Sequence, residues 1–141
     1  MIDLVLAREL RDAGLRWRPL SGDSFAIDRP ELQGEHFTVS EMTIEPHEFD
    51  TGTILGFNGT TEWALDSLAL EDALWLPRED QLRELLGASF RSLQRTGDGF
   101  RVEVDEPGAN GGIAAYEDAD AATAYGRALL IRIREAREAF G

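Results

Sequence analysis

The sequence predicts an α+β domain: an antiparallel sheet with an N-terminal helix, a short central helix and a long C-terminal helix packed mainly on one face. Three observations carry this expectation. Hairpin signals, Asn58-Gly59 and Gly97-Asp98-Gly99, punctuate the chain, and they outnumber spacings of the parallel strand-helix-strand kind. Apolar residues recur at helical spacing near both ends. Between the two hairpin signals, Pro77 precedes one further short helical pattern. The order is therefore helix, several strands, short helix, hairpin with a third strand, long helix.

Residues 3–13 read as an amphipathic helix. Asp3 can cap it, Leu6, Leu10 and Ala13 share a stripe with Val5 beside it, and Gly14 is the expected stop. Arg16-Trp17-Arg18 alternates as a strand does, Ser21-Gly22-Asp23 is turn chemistry, and Phe25-Ala26-Ile27 would complete a hairpin. After a loop from Asp28 to Gly34, residues 37–39, 42–44 and 53–57 look like strand pieces. Asn58-Gly59 suits a type I′ turn, which needs positive φ at both positions, so residues 61–65 would return as a strand. A helix over 61–68 capped by Thr60 is the competing reading.

Leu74-Trp75-Leu76 is a compact apolar run. Pro77 would open a helix at its favoured first position, with Glu79 and Asp80 complementing the N-terminal dipole. Leu82, Leu85 and Leu86 form its buried stripe and Gly87 closes it. Residues 90–95 and 100–104 flank the second hairpin signal. A flexible loop over 107–112 leads to a last strand over 113–116. Asp118 is the expected cap of a helix running to about Phe140, with Ala122, Tyr125, Leu129, Ile133, Ala136 and Phe140 on one face.

At 141 residues the chain suits one domain, 1–141, able to bury a real core. Hydrophobic residues at 43% and charged residues at 29% are those of a soluble globular protein rather than a disordered one. There is no cysteine, which excludes disulfides, thiolate catalysis and cysteine metal sites. All fourteen cationic side chains are arginine, a bias we attribute to codon usage in a GC-rich genome. No apolar run approaches the roughly 18 residues of a membrane span. Residues 1–15 interleave acids and arginines with aliphatics, unlike a secretory signal, so the chain reads as cytoplasmic with no membrane partner.

Charge is distributed unevenly. Residues 19–77 hold twelve carboxylates and one cation, Arg29, out of a net charge of −13 for the whole chain. Such a segment repels nucleic acid and attracts basic partners. Arg16, Arg18 and the terminal arginines Arg127, Arg132, Arg134 and Arg137 are the main candidates for a basic footprint. The last four are offset by Glu135 and Glu138, so no nucleic-acid binding is expected.

Catalytic and metal signals are weak. Glu45, His47, Glu48 and Asp50 resemble a metal-ligand cluster, and on a strand Glu41, Thr43, Glu45 and His47 would share a face. His36 lies eleven residues from His47, so no second histidine sits at ligand spacing, and neither a metal nor a cofactor is expected. None of the serines sits in a Gly-x-Ser-x-Gly elbow, and a phosphate loop with its lysine is impossible here. The chain is therefore expected not to be an enzyme.

The stretch from Gly56 to Ser67 crowds small polar residues around aromatics, as ligand pockets and interfaces do. Asn58, Thr60, Glu62, Trp63, Asp66 and Trp75 are the candidate ligand- or partner-binding residues. Residues Gly56 to Asp66, then Leu74-Trp75-Leu76-Pro77-Arg78-Glu79-Asp80-Gln81-Leu82 through Gly87, together with Tyr116 to Leu130, resemble a family of short actinobacterial hypothetical proteins. Some members carry the label "pilus assembly protein". That label implies a partner of secretion machinery resembling a P-loop ATPase. The resemblance supplies no catalytic residues. The expected function is a protein-interaction module for a protein with a basic surface, like an immunity protein or antitoxin-like inhibitor. The alternative is a small-molecule binding domain with a pocket near Trp63 and Trp75. A homodimer through the arginine-bearing terminal helix is a further expectation.

Overall fold

The computed structural model describes residues 1–28, 35–39, 45–49, 52–56, 67–69 and 72–140. They divide into two units: Met1–Arg16 with Pro77–Gly141, and Trp17–Leu76. The class is α+β, with three helices and three three-stranded antiparallel sheets among the described residues.

The first unit begins with helix α1 (Leu4–Ala13), which starts and stops where its sequence says it should. The Asp3 carboxylate accepts the Leu6 amide at 3.2 Å, satisfying one of the amides the first turn leaves over. Gly14 ends the helix at φ 119°, a conformation that costs a side-chain-bearing residue, and its amide bonds the Arg11 carbonyl. Leu6, Ala7, Leu10 and Ala13 are buried, and Val5, beside the stripe, is exposed.

Helix α2 (Glu79–Leu86) starts later than Pro77 suggests. Arg78 is its N-cap, and Pro77 is the residue before the cap. The Arg78 amide donates to Gln81 Oε1 at 2.9 Å, the return half of a capping box, because a guanidinium has no acceptor for the other half. Leu82 and Leu86 are buried, whereas Leu85, expected in the stripe, is 44% exposed. Gly87–Ser89 tightens into a 3₁₀ turn, where the Ser89 hydroxyl donates to the Leu86 carbonyl at 2.6 Å.

Strands β7 (Phe90–Arg95), β8 (Phe100–Asp105) and β9 (Ile113–Asp118) form an antiparallel sheet in chain order. The expected Gly97-Asp98-Gly99 turn joins the first two, with the Thr96 amide bonding the Gly99 carbonyl at 2.9 Å. Directly opposed residues share a face, so Val102 and Val104 lie with Tyr116 and Ala114 on one side. That side packs on the long helix α3 (Ala121–Phe140). The other side is polar. Arg101 pairs there with Glu103 at 3.1 Å and Glu117 at 3.8 Å. Such exposed pairs contribute at most about 1 kcal/mol each.

The cap of α3 is Asp120, two residues after the expected Asp118. Its carboxylate accepts from the Thr123 amide at 3.2 Å and the Thr123 hydroxyl at 3.0 Å. Asp118 instead accepts the Asp120 amide at 2.9 Å and pairs with Arg127 at 3.3 Å. The burial of α3 is also broader than a stripe. Residues 121–126 and 128–130 are all buried, because α1, α2, β8 and β9 pack around this half of the helix. Small side chains permit that. A Cβ on Gly126 would lie 2.8 Å from Leu6 Cδ2 and 3.0 Å from Ile2 Cδ1. Farther along, Ile133 is half-buried and Ala136 is exposed.

Two of the terminal arginines serve α1. Arg137 donates to the Ala13 carbonyl at 3.1 Å, where a cation complements the negative end of that helix, and Arg134 pairs with Glu9 at 3.2 Å. The apolar stripe expected to mediate self-association is covered by this unit itself at Tyr125 and Leu129.

In the second unit, β1 (Ser24–Ile27) lies between β2 (His36–Thr38) and β6 (Ala73–Leu76), antiparallel to both. The expected partner of β1, Arg16-Trp17-Arg18, is not a strand. A second sheet has the order β3 (Glu45–Phe49), β4 (Gly52–Gly56) and β5 (Ser67–Ala69). The expected strand over 42–44, the Asn58-Gly59 turn, and the return strand or helix beginning at 61 fall on residues outside those described, apart from the backbone of Ser67 and Leu68 in β5.

Gly99 provides a sharp test. A Cβ there would collide with the Asp118 carbonyl and lie 2.6 Å from Ala119 Cα, both backbone atoms that cannot rotate away, whereas a Cβ on Gly97 meets nothing within 4 Å. Gly99→Ala should destabilise by about 2 kcal/mol or more, and Gly97→Ala by less than about 0.5 kcal/mol. Paired urea titrations measure the difference. Equal midpoints would refute the close approach of the hairpin to the end of β9.

Candidate functional site

Of the residues expected to form a binding site, Asn58, Thr60, Glu62, Trp63 and Asp66 lie outside the described residues. Trp75 is placed on β6, directly opposite Phe25, which is opposite Phe37 on β2. These three therefore share one face of the sheet. Phe37 and Trp75 pack against a buried cluster of Trp17, Phe25, Ile27, Val39 and Ala73. Phe25 lies 5.3 Å from the Trp17 ring and 5.6 Å from the Phe37 ring, centroid to centroid. Most of this face is core, built as aromatic cores are.

One atom departs from that description. Trp75 Nε1 is buried and, among the described residues, has no hydrogen-bond partner. A buried indole N–H left without an acceptor costs about 1–3 kcal/mol. It is the polar group in this sheet that a ligand carbonyl or carboxylate could satisfy.

Trp17 resolves its own N–H differently. The indole donates to Asp23 Oδ2 at 3.0 Å, and the same oxygen accepts the Leu20 amide at 3.1 Å. The loop is tied to the sheet by Gly22 and Val39, whose amides bond the Val39 and Asp23 carbonyls, each at 2.8 Å. This explains why Trp17 is not in a strand: its side chain closes a loop onto a buried carboxylate six residues on. Asp23 is 2% exposed, so it is a structural acid and not part of a solvent-facing acidic surface. The signal for it in the sequence is a turn acid six residues after a tryptophan.

The first unit has a surface groove of about 500 Å³ lined by Asp3, Leu6, Glu9, Asp118, Thr123, Arg127 and Leu130. Its polar groups are committed to the fold. Asp3 caps α1, Thr123 accepts the Asp3 amide at 3.0 Å, and Glu9 and Asp118 hold Arg134 and Arg127. The groove is a hydrogen-bonded seam between α1 and α3.

The metal-like segment Glu45–Phe49 forms β3, and no group of three potential ligands gathers among the described residues. Glu41, Thr43 and Asp50 lie outside them. A second acidic grouping joins the start of the loop after β8 to α3. The Tyr116 hydroxyl donates to Glu106 at 3.2 Å. Desolvation, then the charge and hydrogen bond of Glu106, push the Tyr116 phenol up to about 12. Desolvation and then Glu106 likewise hold Glu135 above the usual carboxylate range; because Glu135 is exposed, we ascribe the effect mainly to the neighbouring charge.

Tyr125 stacks on Phe90 with centroids 5.7 Å apart, and the Arg83 guanidinium lies 4.4 Å from the centre of the Phe90 ring. Burial raises the Tyr125 phenol as well, and the chain has two tyrosines in total. The native protein should therefore show clearly less than half of the full phenolate absorbance at 295 nm at pH 10 while its circular dichroism stays native. A raised folded pKa gives stability that is complete below the unfolded value of about 10 and is lost as pH climbs through the folded one. Half-ionisation near pH 10 in the folded state would contradict both tyrosine environments.

No family model, no curated protein and no solved structure matches the chain. Among the described residues, no helix is long and apolar enough to cross a membrane.

Proposed function

We propose that the chain is a protein-interaction module that acts by binding rather than catalysis, and that its acidic segment engages a partner with a basic surface. An immunity protein or antitoxin-like inhibitor works in this way. The observation that carries the reading is the coincidence of charge with architecture. The unit Trp17–Leu76 holds twelve carboxylates against Arg18 and Arg29, a net −10 of the chain's −13, whereas the other unit holds fifteen acids against twelve arginines. Asp23 is used internally, as the acceptor of the Trp17 indole, so the reading rests on the charge of the segment as a whole and not on that acid. Concentrated like charge destabilises its own unit and accelerates encounter with an opposite surface. It also disfavours nucleic acid.

A second reading is supported by the unpartnered Trp75 N–H: a small apolar ligand with one acceptor, seated near Trp75. The two readings separate by charge.

The test is capture of soluble proteins on the immobilised full chain at low salt, followed by kinetics with each purified captured protein. The expected partner is basic. Its association rate should fall at least about tenfold between low and high salt, and fall again when Glu45, Glu48 and Glu62 are changed to glutamine. Retention of no basic protein, or association that ignores both salt and neutralisation, would contradict the acidic-surface reading. A ligand that quenches tryptophan fluorescence independently of salt, and is lost in Trp75→Phe while the melting temperature holds, would favour the second reading.

A further inference from the structure

The β7-β8-β9 sheet ends in two edges, and they are built differently. Along β7 the register shifts between Phe90 and Ser92, and the strand carries Arg91 and Arg95. A bulge and edge charges are the devices by which sheets discourage further pairing. Strand β9 pairs with β8 through six consecutive residues with no shift. It contains no proline and no cationic residue. Its backbone groups bond β8, and among the described residues no hydrogen bond joins them to any other segment. Ile113, Ala115 and Glu117 alternate as exposed residues along it. Regular, unpaired and without a gatekeeper at its centre, this edge is a template for another strand.

We infer that β9 pairs antiparallel with β9 of a second copy of this chain, about a two-fold axis through Ala115. Strand length and side chains select the register: within Ile113–Asp118 an axis at Ala115 or Tyr116 pairs five residues of each strand, whereas one at Ala114 or Glu117 pairs only three. A two-fold axis normal to the sheet keeps each copy's polar face on the same side, so the axis must pass through a residue position or midway between two of equal parity. Centred on Ala115, the pairing sets Ala114 against Tyr116 and Ile113 against Glu117, while Asp118 faces Gly112. No two like charges stand opposite each other. Centred one residue later, two Tyr116 side chains would meet, each already bonded to Glu106. Centred on Glu117, two carboxylates would collide. The smallest side chain of the solvent-facing row is the one at the axis. The result is a continuous six-stranded sheet made of two identical halves. This inference is independent of the acidic segment and of its partner.

One strand per copy is a small interface, so a weak, concentration-dependent dimer is expected. Sedimentation equilibrium of the full chain from about 10 μM to about 1 mM should show a monomer–dimer equilibrium that tightens as salt rises, because each copy carries −13. Wild-type protein that stays monomeric throughout would overturn the inference. So would a dimer that loosens with salt, which would place the contact on opposite charges elsewhere. Ala115 projects from the exposed face, so A115K and A115E should keep the wild-type circular dichroism and melting temperature. Each alone should dimerise at least tenfold more weakly, since like charges meet at the axis. An equimolar mixture of the two should recover dimer. Undiminished dimerisation of either variant, or a mixture no better than its components, would overturn the register and with it the proposal. If A115K fails to fold, A115E against wild type gives the same decision.

Discussion

The constraint on which the first unit depends is the crowding of one half-helix. From Ala121 to Leu130, α3 is buried at every described position except Arg127, and it can be so because Ala121, Ala122, Ala124, Gly126 and Ala128 are small. The space they leave is taken by α1, reaching Gly126 through Leu6 and Ile2, by α2, and by β8 and β9. Tyr125 is the large exception and fills its side against Phe90. Close-packed interiors tolerate few changes of volume, so this half-helix fixes where its neighbours lie. Polar groups then secure the ends. Thr123 accepts the Asp3 amide, the Met1 ammonium pairs with Asp120 at 3.1 Å, and Arg137 bonds the last carbonyls of α1. A short N-terminal helix is thus held along α3 at both of its own termini.

Much of this was legible in the sequence wherever a local cause sufficed. Asp3 and Gly14 bound α1 because a cap and a left-handed stop act on their own neighbours. The Gly97–Gly99 turn and the α+β order are likewise local or periodic. What escaped was set by tertiary partners. Asp118 and Asp120 look equivalent as caps, yet Arg127 holds the first, and the second reaches Thr123. Arg16-Trp17-Arg18 alternates as a strand does, but the indole has a buried carboxylate six residues on, and that bond shapes the loop. A single stripe on α3 was expected because periodicity reveals one preferred face. It does not register that a run of small residues lets several faces be buried together. For the candidate site, the sequence singled out Trp75, and β6 places it against an aromatic core with an unpartnered N–H; the other five residues lie outside those described.

Charge follows the same division as packing. The unit with the seam of committed ion pairs is close to balanced, while the unit Trp17–Leu76 carries most of the excess negative charge. In the first unit, Arg127, Arg134 and Arg137 have carboxylate or carbonyl partners that contribute to the fold. In the second, Asp23 is a buried structural acid, and twelve carboxylates stand against two arginines. That contrast, rather than any catalytic constellation, is what favours recognition of a basic surface.

Native-state hydrogen exchange tests most directly whether the half-helix organises its unit. Amides of residues 122–130 should be the slowest in the first unit, together with those of Val102 and Val104, and should open only by global unfolding, while residues 131–138 exchange faster through local fraying. Exchange over 122–130 as fast as over 131–138 would contradict the account, because a helix buried by three neighbours at once cannot open without releasing all of them.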